Sequence, residues 1–299
     1  MSALRRREAS HAGSWYTDDP VKLGKIIDAW IGDTPKEKQG KARVIVSPHA
    51  GYAYCGATAG HSYGALNVGE GSPVTTVFVL GPSHYVPLSH CSITKFQSVE
   101  TPFGDIPVNE AIVKELLATK KFSQLDPDTD VEEHSLEMQL PFLYRRFAGK
   151  PFTVVPILVG RFGMTKIREY GEIFAKYMAD PSCAFVISSD FCHWGRRFGY
   201  TYVNKEWMSE KGATIADSIK ALDLLAAEKI AAIDTLGYAE YCDEYKNTIC
   251  GKIAILTTTA AMEAAGVKCK GDIAHYSQSD KVASMGGSSV SYCSITFSF

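Results

Sequence analysis

Three short, predominantly apolar runs each break into a turn that carries a histidine, and this repeated juxtaposition constrains the fold more than any other feature. Ala42–Ser47 leads into Pro48-His49-Ala50-Gly51-Tyr52, and Thr76–Leu80 into Gly81-Pro82-Ser83-His84. Ala184–Ile187 leads into Ser188-Ser189-Asp190-Phe191-Cys192-His193-Trp194-Gly195. A fourth run, Phe152–Val159, is similarly rich in β-branched residues. Continuous rather than alternating hydrophobicity marks strands buried on both faces, and such strands need helices above and below them. Leu23, Ile26, Ile27, Trp30 and Ile31 give the period of one such helix, with Thr17 or Asp18 as cap and Pro20 in the first turn. Ile167–Met178 gives a second, about Asn204–Ala227 one or two more, and Ile253–Ala265 another. Ser288–Phe299 reads as a terminal strand. The expected fold is α/β: a three-layer sandwich with a central mixed, largely parallel sheet flanked by helices. No repeat is evident and the only linker-like stretch, Gly32–Lys41, is short, so one domain over residues 1–299 is expected.

Composition narrows the function classes. At 299 residues, 45% hydrophobic and 21% charged, the chain can bury a large core, which excludes disorder and simple coiled coil. Lys plus Arg is 31 against 33 Asp plus Glu, a net charge of -2, so no global footprint for nucleic acid or anionic membrane exists. No apolar run follows Arg5-Arg6-Arg7, and no stretch approaches the ~20 apolar residues of a membrane span. A cytoplasmic location is expected, with the nucleus a second compartment. The eight cysteines form no C-x-x-C pair and read as reduced thiols, mostly buried.

In an open α/β sheet, ligands collect at the carboxyl ends of the strands. If the three histidine-bearing strands are parallel neighbours, His49, His84 and His193 converge. Asp190, three residues before His193, can orient or charge that ring. His134 and Glu137 follow the acidic loop Asp126–Glu133 and sit near a helix start, either as a second layer around the site or as caps. Cys250, in Asn247-Thr248-Ile249-Cys250-Gly251, precedes a helix whose N-terminus would stabilise a thiolate. Two imidazoles and a thiolate suit Fe(II), Cu(I) or Zn(II), and a further histidine beside an open position could act as acid–base. Trp15, Tyr16, Tyr52, Tyr54 and Trp194 could line a pocket, although core packing is the commoner use of such residues. His11, His61, His90 and His275 are read as structural. The same pocket without chemistry could bind a peptide.

Ser47-Pro48-His49-Ala50-Gly51-Tyr52, Gly81-Pro82-Ser83-His84, the run from Glu133 to Pro141, Ser188–Gly195 and Asn247–Gly251, together with Arg7–Tyr16 and Ser288–Tyr292, resemble the Memo family, mediators of receptor-driven cell motility. These motifs fall in order over essentially the whole chain. The resemblance implies a fold similar to class III extradiol dioxygenases, non-haem iron enzymes that use two histidines and a glutamate on Fe(II) and a further histidine as acid–base catalyst. It implies metal positions at His49, His84 and Cys250, and an acid–base position at His193 with Asp190 beside it. Cys250 stands where the dioxygenases have glutamate, which argues against ring cleavage and favours copper or altered iron chemistry. The family further implies redox-linked binding of iron or copper, with zinc left open, and a role in metal homeostasis. It also implies a cleft for a phosphotyrosine peptide of a receptor tyrosine kinase, with Trp15 and His193 at matching positions. Tyr52 and Trp194 would complete that cleft, with Arg196 or Arg197 available for phosphate. The alternatives are a non-catalytic phosphopeptide adaptor, an active extradiol dioxygenase and a zinc hydrolase, the last lacking any H-E-x-x-H motif.

Overall fold

A computed structural model of the protein describes residues 6–69, 71–204, 206–207 and 212–299. The first half of the chain forms β1 (Arg6–Arg7), α1 (Pro20–Gly32), β2 (Val44–Ser47), α2 (Tyr52–Ala65), β3 (Thr76–Pro82), β4 (Cys91–Ile93), β5 (Ser98–Thr101), β6 (Gly104–Pro107), α3 (Glu110–Ala118) and β7 (Phe122–Gln124). Then come α4 (Pro127–Glu132), α5 (His134–Glu137), α6 (Leu140–Phe147), β8 (Thr153–Val159), α7 (Met164–Ala179), β9 (Cys183–Ser188) and β10 (His193–Trp194). The chain closes with α8 (Ile215–Ala231), α9 (Thr235–Tyr245), α10 (Lys252–Ala264), β11 (Asp272–Gln278) and β12 (Ser289–Phe297).

Among the described residues, nine strands form one mixed sheet in the order β10-β12-β2-β9-β3-β8-β4-β7, with β11 paired to the other edge of β12. Its centre, β2-β9-β3-β8, is parallel throughout. Every residue of β2, β3 and β9 is buried, as their unbroken hydrophobicity requires for strands covered on both faces. Val46 lies opposite Ile187, and Ile187 lies opposite Leu80 on its other side, so the three strands end level. The turns after them, bearing His49, His84 and Asp190–His193, therefore open at one place. Antiparallel pairing is confined to the flanks, where β4 meets β8 and β12 meets β2.

Helices flank this sheet. α1 is capped by Asp19, whose carboxylate accepts the Val21 and Lys22 N–H groups, one residue after Asp18 and two after Thr17. α2 carries Gly56, Gly60 and Gly64 one turn apart, where a Cβ would run into Trp30 or Thr34 of the α1 side; the missing side chains let the two helices approach closely. Elsewhere α7 packs on α10 and on β9, and Phe78 of β3 stacks on Phe185 with ring centroids 4.7 Å apart. The helix expected from about Asn204 starts at Ile215 instead. Thr214 and Asp217 form a reciprocal capping box there, Asn204 is not helical, and residues 205 and 208–211 lie outside the described residues.

A second sheet, β1-β5-β6, docks the N-terminal arm beside α4 and α5. All eight cysteines are free thiols. Among the described residues no helix is long and apolar enough to cross a membrane.

Candidate metal centre

His49 leaves the end of β2 with its ring 2% exposed. Its tautomer follows from a proton count. The Ser188 hydroxyl donates to the Ser135 carbonyl at 2.6 Å and accepts the Gln139 Nε2–H at 2.9 Å. Having spent its proton, Ser188 can only accept from His49 Nδ1 at 2.7 Å. His49 Nδ1 is thus the N–H and Nε2 carries the lone pair. Burial, reinforced by neighbouring His84, lowers the pKa of this ring well below the ordinary histidine value.

His84, at the turn after β3, is held by Glu133. One carboxylate oxygen accepts the His84 backbone N–H at 2.7 Å and the other faces Nδ1 at 2.9 Å. A carboxylate accepts, so Nδ1 donates and Nε2 is free, the arrangement that orients imidazoles toward metals. Burial pushes the Glu133 carboxyl up, but the hydrogen bonds it accepts from the His84 ring and backbone and from the Ser135 N–H outweigh it and hold the pKa at about 2. His134, which opens α5, stacks on His84 at 4.4 Å. Burial first, then His49 and His84, lower its pKa to about 3. Its Nδ1 is buried with no hydrogen-bond partner among the described residues. Ligand atoms of His49, His84 and His134 all lie within 4.8 Å of one another, a group that could hold a metal ion.

Cys250 lies outside that group but meets it at His49: its Sγ is 3.2 Å from His49 Nε2 and accepts the Asp190 N–H at 3.2 Å. It lies two residues before α10, and Gly251 occupies the cap position. The dipole does not decide its protonation. Burial dominates, and with the nearby Asp190 charge it drives the thiol pKa upward. Asp190 Oδ1 accepts the His49 backbone N–H at 2.8 Å, and burial raises its pKa. His193 Nδ1 faces two carbonyl oxygens, Phe191 at 2.9 Å and Thr248 at 3.2 Å, so it too donates there and leaves Nε2 available.

Of the aromatic candidates, Trp15 packs on His134 at 4.4 Å. Tyr52 is 5% exposed, stacks on Tyr16 and donates its hydroxyl to the Met138 carbonyl. Trp194 is fully buried among Cys192, Ile215, Ile219 and Val282 and gives its indole N–H to the Tyr202 carbonyl, so it lies beneath the surface rather than along a wall. Glu137 is fully buried and accepts from Arg7, Tyr16 and the His11 backbone. Burial raises the pKa of this carboxyl, but His11 and Arg7 bring it down to about 2.

A family model described as Memo-like protein matches residues 7–296. The chain belongs to the Memo family. Protein MEMO1 of Homo sapiens is 39% identical over 291 residues, covering 96% of this chain and 95% of that protein. Protein MEMO1 of Xenopus laevis is 40% identical with the same coverage, and Protein memo-1 homolog of Caenorhabditis elegans is 40% identical over 292 residues, 96% of this chain and 81% of that one. Among solved structures, an uncharacterized protein from Escherichia coli K12 aligns with a TM-score of 0.44 and 14% identity, over 72% of this chain and 85% of that chain.

In this Memo-family chain several site residues escape sequence reasoning. His11 keeps structural contacts, its Nδ1 3.0 Å from Glu137 Oε2, while its ring lies 5.9 Å from His134. Ser188 and Gln139 set the His49 tautomer, and Glu133 sets that of His84, although nothing in their local sequence names those partners. His61 and His275 do sit apart, stacked on each other at 4.5 Å, and His90 bonds Ser123.

Proposed function

We propose that this Memo-family chain is a metal-binding, redox-linked protein that holds one transition-metal ion at His49, His84 and Cys250, with His134 within reach of the same ion. The observation that carries the reading is the pair of imidazoles, His49 and His84, whose Nδ1 atoms are both committed as donors, leaving two Nε2 lone pairs, that of His49 3.2 Å from the Cys250 sulfur. The His134 Nδ1 fits the same account: it is buried without a hydrogen bond, with Glu133 Oε1 3.6 Å away. Imidazole and thiolate donors suit iron or copper, with zinc the redox-silent alternative. When bound, the ion would supply Lewis acidity and electron transfer. Cys250 must lose its proton to bind, and burial resists that loss in the metal-free chain. His193 serves as acid–base through Nε2, with Asp190 beside it. A ring-cleaving dioxygenase is disfavoured, since a thiolate replaces the glutamate that resemblance would require. The cellular setting is cytoplasmic, in motility signalling and metal homeostasis.

Metal analysis after anaerobic purification tests this reading. About one equivalent of iron or copper is expected in the wild type, and loss in both His49→Ala and Cys250→Ala. Metal content unchanged in both variants would reject it.

The second reading is a phosphotyrosine-peptide cleft in the same place. What supports it is Trp15 against His134, the exposed Tyr85 ring 6.2 Å from His134, and Arg197 lying over Phe198, whose ring edges His193 at 5.3 Å. Phosphorylated peptide is expected to bind more tightly than its plain counterpart in a fluorescence titration. Equal binding would remove this reading.

A further inference from the structure

Asp223 is a fully buried carboxylate on α8 that the metal site does not use. Four groups converge on it from separate parts of the chain. Its Oδ1 accepts the Cys192 backbone N–H at 3.2 Å and the Asn247 Nδ2–H at 3.0 Å. Its Oδ2 accepts the Tyr276 hydroxyl at 2.9 Å, and Ser291 also bonds to the side chain. No salt bridge reaches it among the described residues. A buried carboxylate without a counter-charge is costly, and four donors only partly offset that cost. Burial accordingly raises its pKa, to about 6, in spite of those bonds.

The two partners of Oδ1 belong to the segments that build one side of the candidate centre. Cys192 immediately precedes His193. Asn247 lies three residues before Cys250, and Asn247 is tied in turn to the Tyr241 hydroxyl at 2.9 Å. Between these anchors the segments are stitched directly. His193 N–H donates to Thr248 Oγ1 at 2.7 Å, Thr248 Oγ1 donates back to the His193 carbonyl at 3.0 Å, and Gly251 N–H donates to Ser189 Oγ at 3.0 Å. One carboxylate oxygen thus bridges the His193 strand and the Cys250 loop.

We propose that Asp223 is a positioning residue that clamps the 190–194 and 247–250 segments together and so sets the Cys250 sulfur against His49. The metal arm of the test rests on the function proposed above; a second arm, read on the metal-free chain, does not.

Four variants separate the outcomes. Asp223→Ala removes both Oδ1 bonds. Asp223→Asn keeps a carbonyl oxygen for Cys192 and Asn247 and offers its amide to the Tyr276 oxygen. Asn247→Ala breaks the clamp from the other side. Tyr276→Phe removes a bond to Oδ2, which does not face the two segments. In the metal-free protein, the alkylation rate of Cys250 by iodoacetamide is followed by peptide mass spectrometry, with Cys250→Ser as the blank. Asp223→Ala and Asn247→Ala are expected to raise that rate at least about threefold, while Asp223→Asn and Tyr276→Phe stay within about twofold of wild type. With Co(II) as the probe, the same two variants are expected to bind about tenfold more weakly, the size of effect seen when the support of a metal ligand is removed. A role confined to stability would lower the melting temperature and leave both readings of the folded protein at wild-type values, and that result overturns the proposal. Equal acceleration by Tyr276→Phe and Asn247→Ala also overturns it, because general loosening would then suffice. If Asp223→Ala does not fold, Asn247→Ala decides. If the wild type takes no Co(II), the metal reading fails while the alkylation rates still judge Asp223.

Discussion

Glu133 grips His84 at two points of the same residue: one carboxylate oxygen takes its backbone N–H at 2.7 Å, the other its Nδ1–H at 2.9 Å. The same carboxylate also accepts the Ser135 N–H at 2.9 Å. Ring, backbone and helix start are thereby locked as one unit. Glu133→Gln keeps one acceptor oxygen and turns an NH2 toward a donor. A fall of about 10–100-fold in metal affinity is expected, measured by anaerobic titration calorimetry. An unchanged dissociation constant would refute the orienting role.

Ser188 does for His49 what Glu133 does for His84. Ser188→Ala leaves His49 Nδ1–H and one Gln139 Nε2–H without their shared acceptor. A stability loss of about 1–3 kcal/mol is expected in urea unfolding. Nitrogen-15 spectra should show His49 as the Nδ1–H form in the wild type and as a tautomer mixture in the variant. A single Nδ1–H form in both would dismiss Ser188 as the cause.

Glu137 sets an acid limit on stability. It is fully buried, pairs with Arg7 at 2.7 Å, and has its pKa brought from the ordinary 4.5 to about 2. A carboxyl depressed in the folded state stabilises fully above pH 4.5, and that contribution fades as pH falls toward 2. Glu137→Gln, which strands part of the buried Arg7 charge, is expected to cost about 3–5 kcal/mol at neutral pH. It should also flatten the acid limb of a stability-versus-pH curve. An acid limb as steep as that of the wild type would contradict the assignment.

Gly60 faces the Trp30 backbone across the α1–α2 contact. Gly60→Ala would push the helices apart, at an expected cost of about 1–3 kcal/mol by thermal unfolding. The metal affinity of the folded variant should stay unchanged, because the nearest atoms a Cβ there would meet belong to Trp30 and to none of His49, His84, His134 or Cys250.

The sheet's centre was legible because β2, β3 and β9 are continuously apolar and because parallel neighbours end together. That logic also brought out His49, His84 and His193. α2 was not legible, since Gly56, Gly60 and Gly64 depress helix propensity while serving close packing. The start of α8 was set by the Thr214–Asp217 box rather than by the apolar period upstream. Contacts between distant residues were the other blind spot. Arg7 meets Glu137 across 130 positions and Ser188 meets His49 across 139, distances that no local pattern encodes. The helix-dipole argument for Cys250 failed for a related reason: it weighed the dipole without the desolvation that only burial discloses.

His49 and Cys250 touch although 201 positions separate them. On the ribosome, the imidazoles of His49 and His84 therefore emerge long before the sulfur. On the proposed metal reading, the full donor set would exist only after α10 has docked, so loading would belong to the finished protein, and a truncation before residue 250 would remove the Cys250 sulfur from the set.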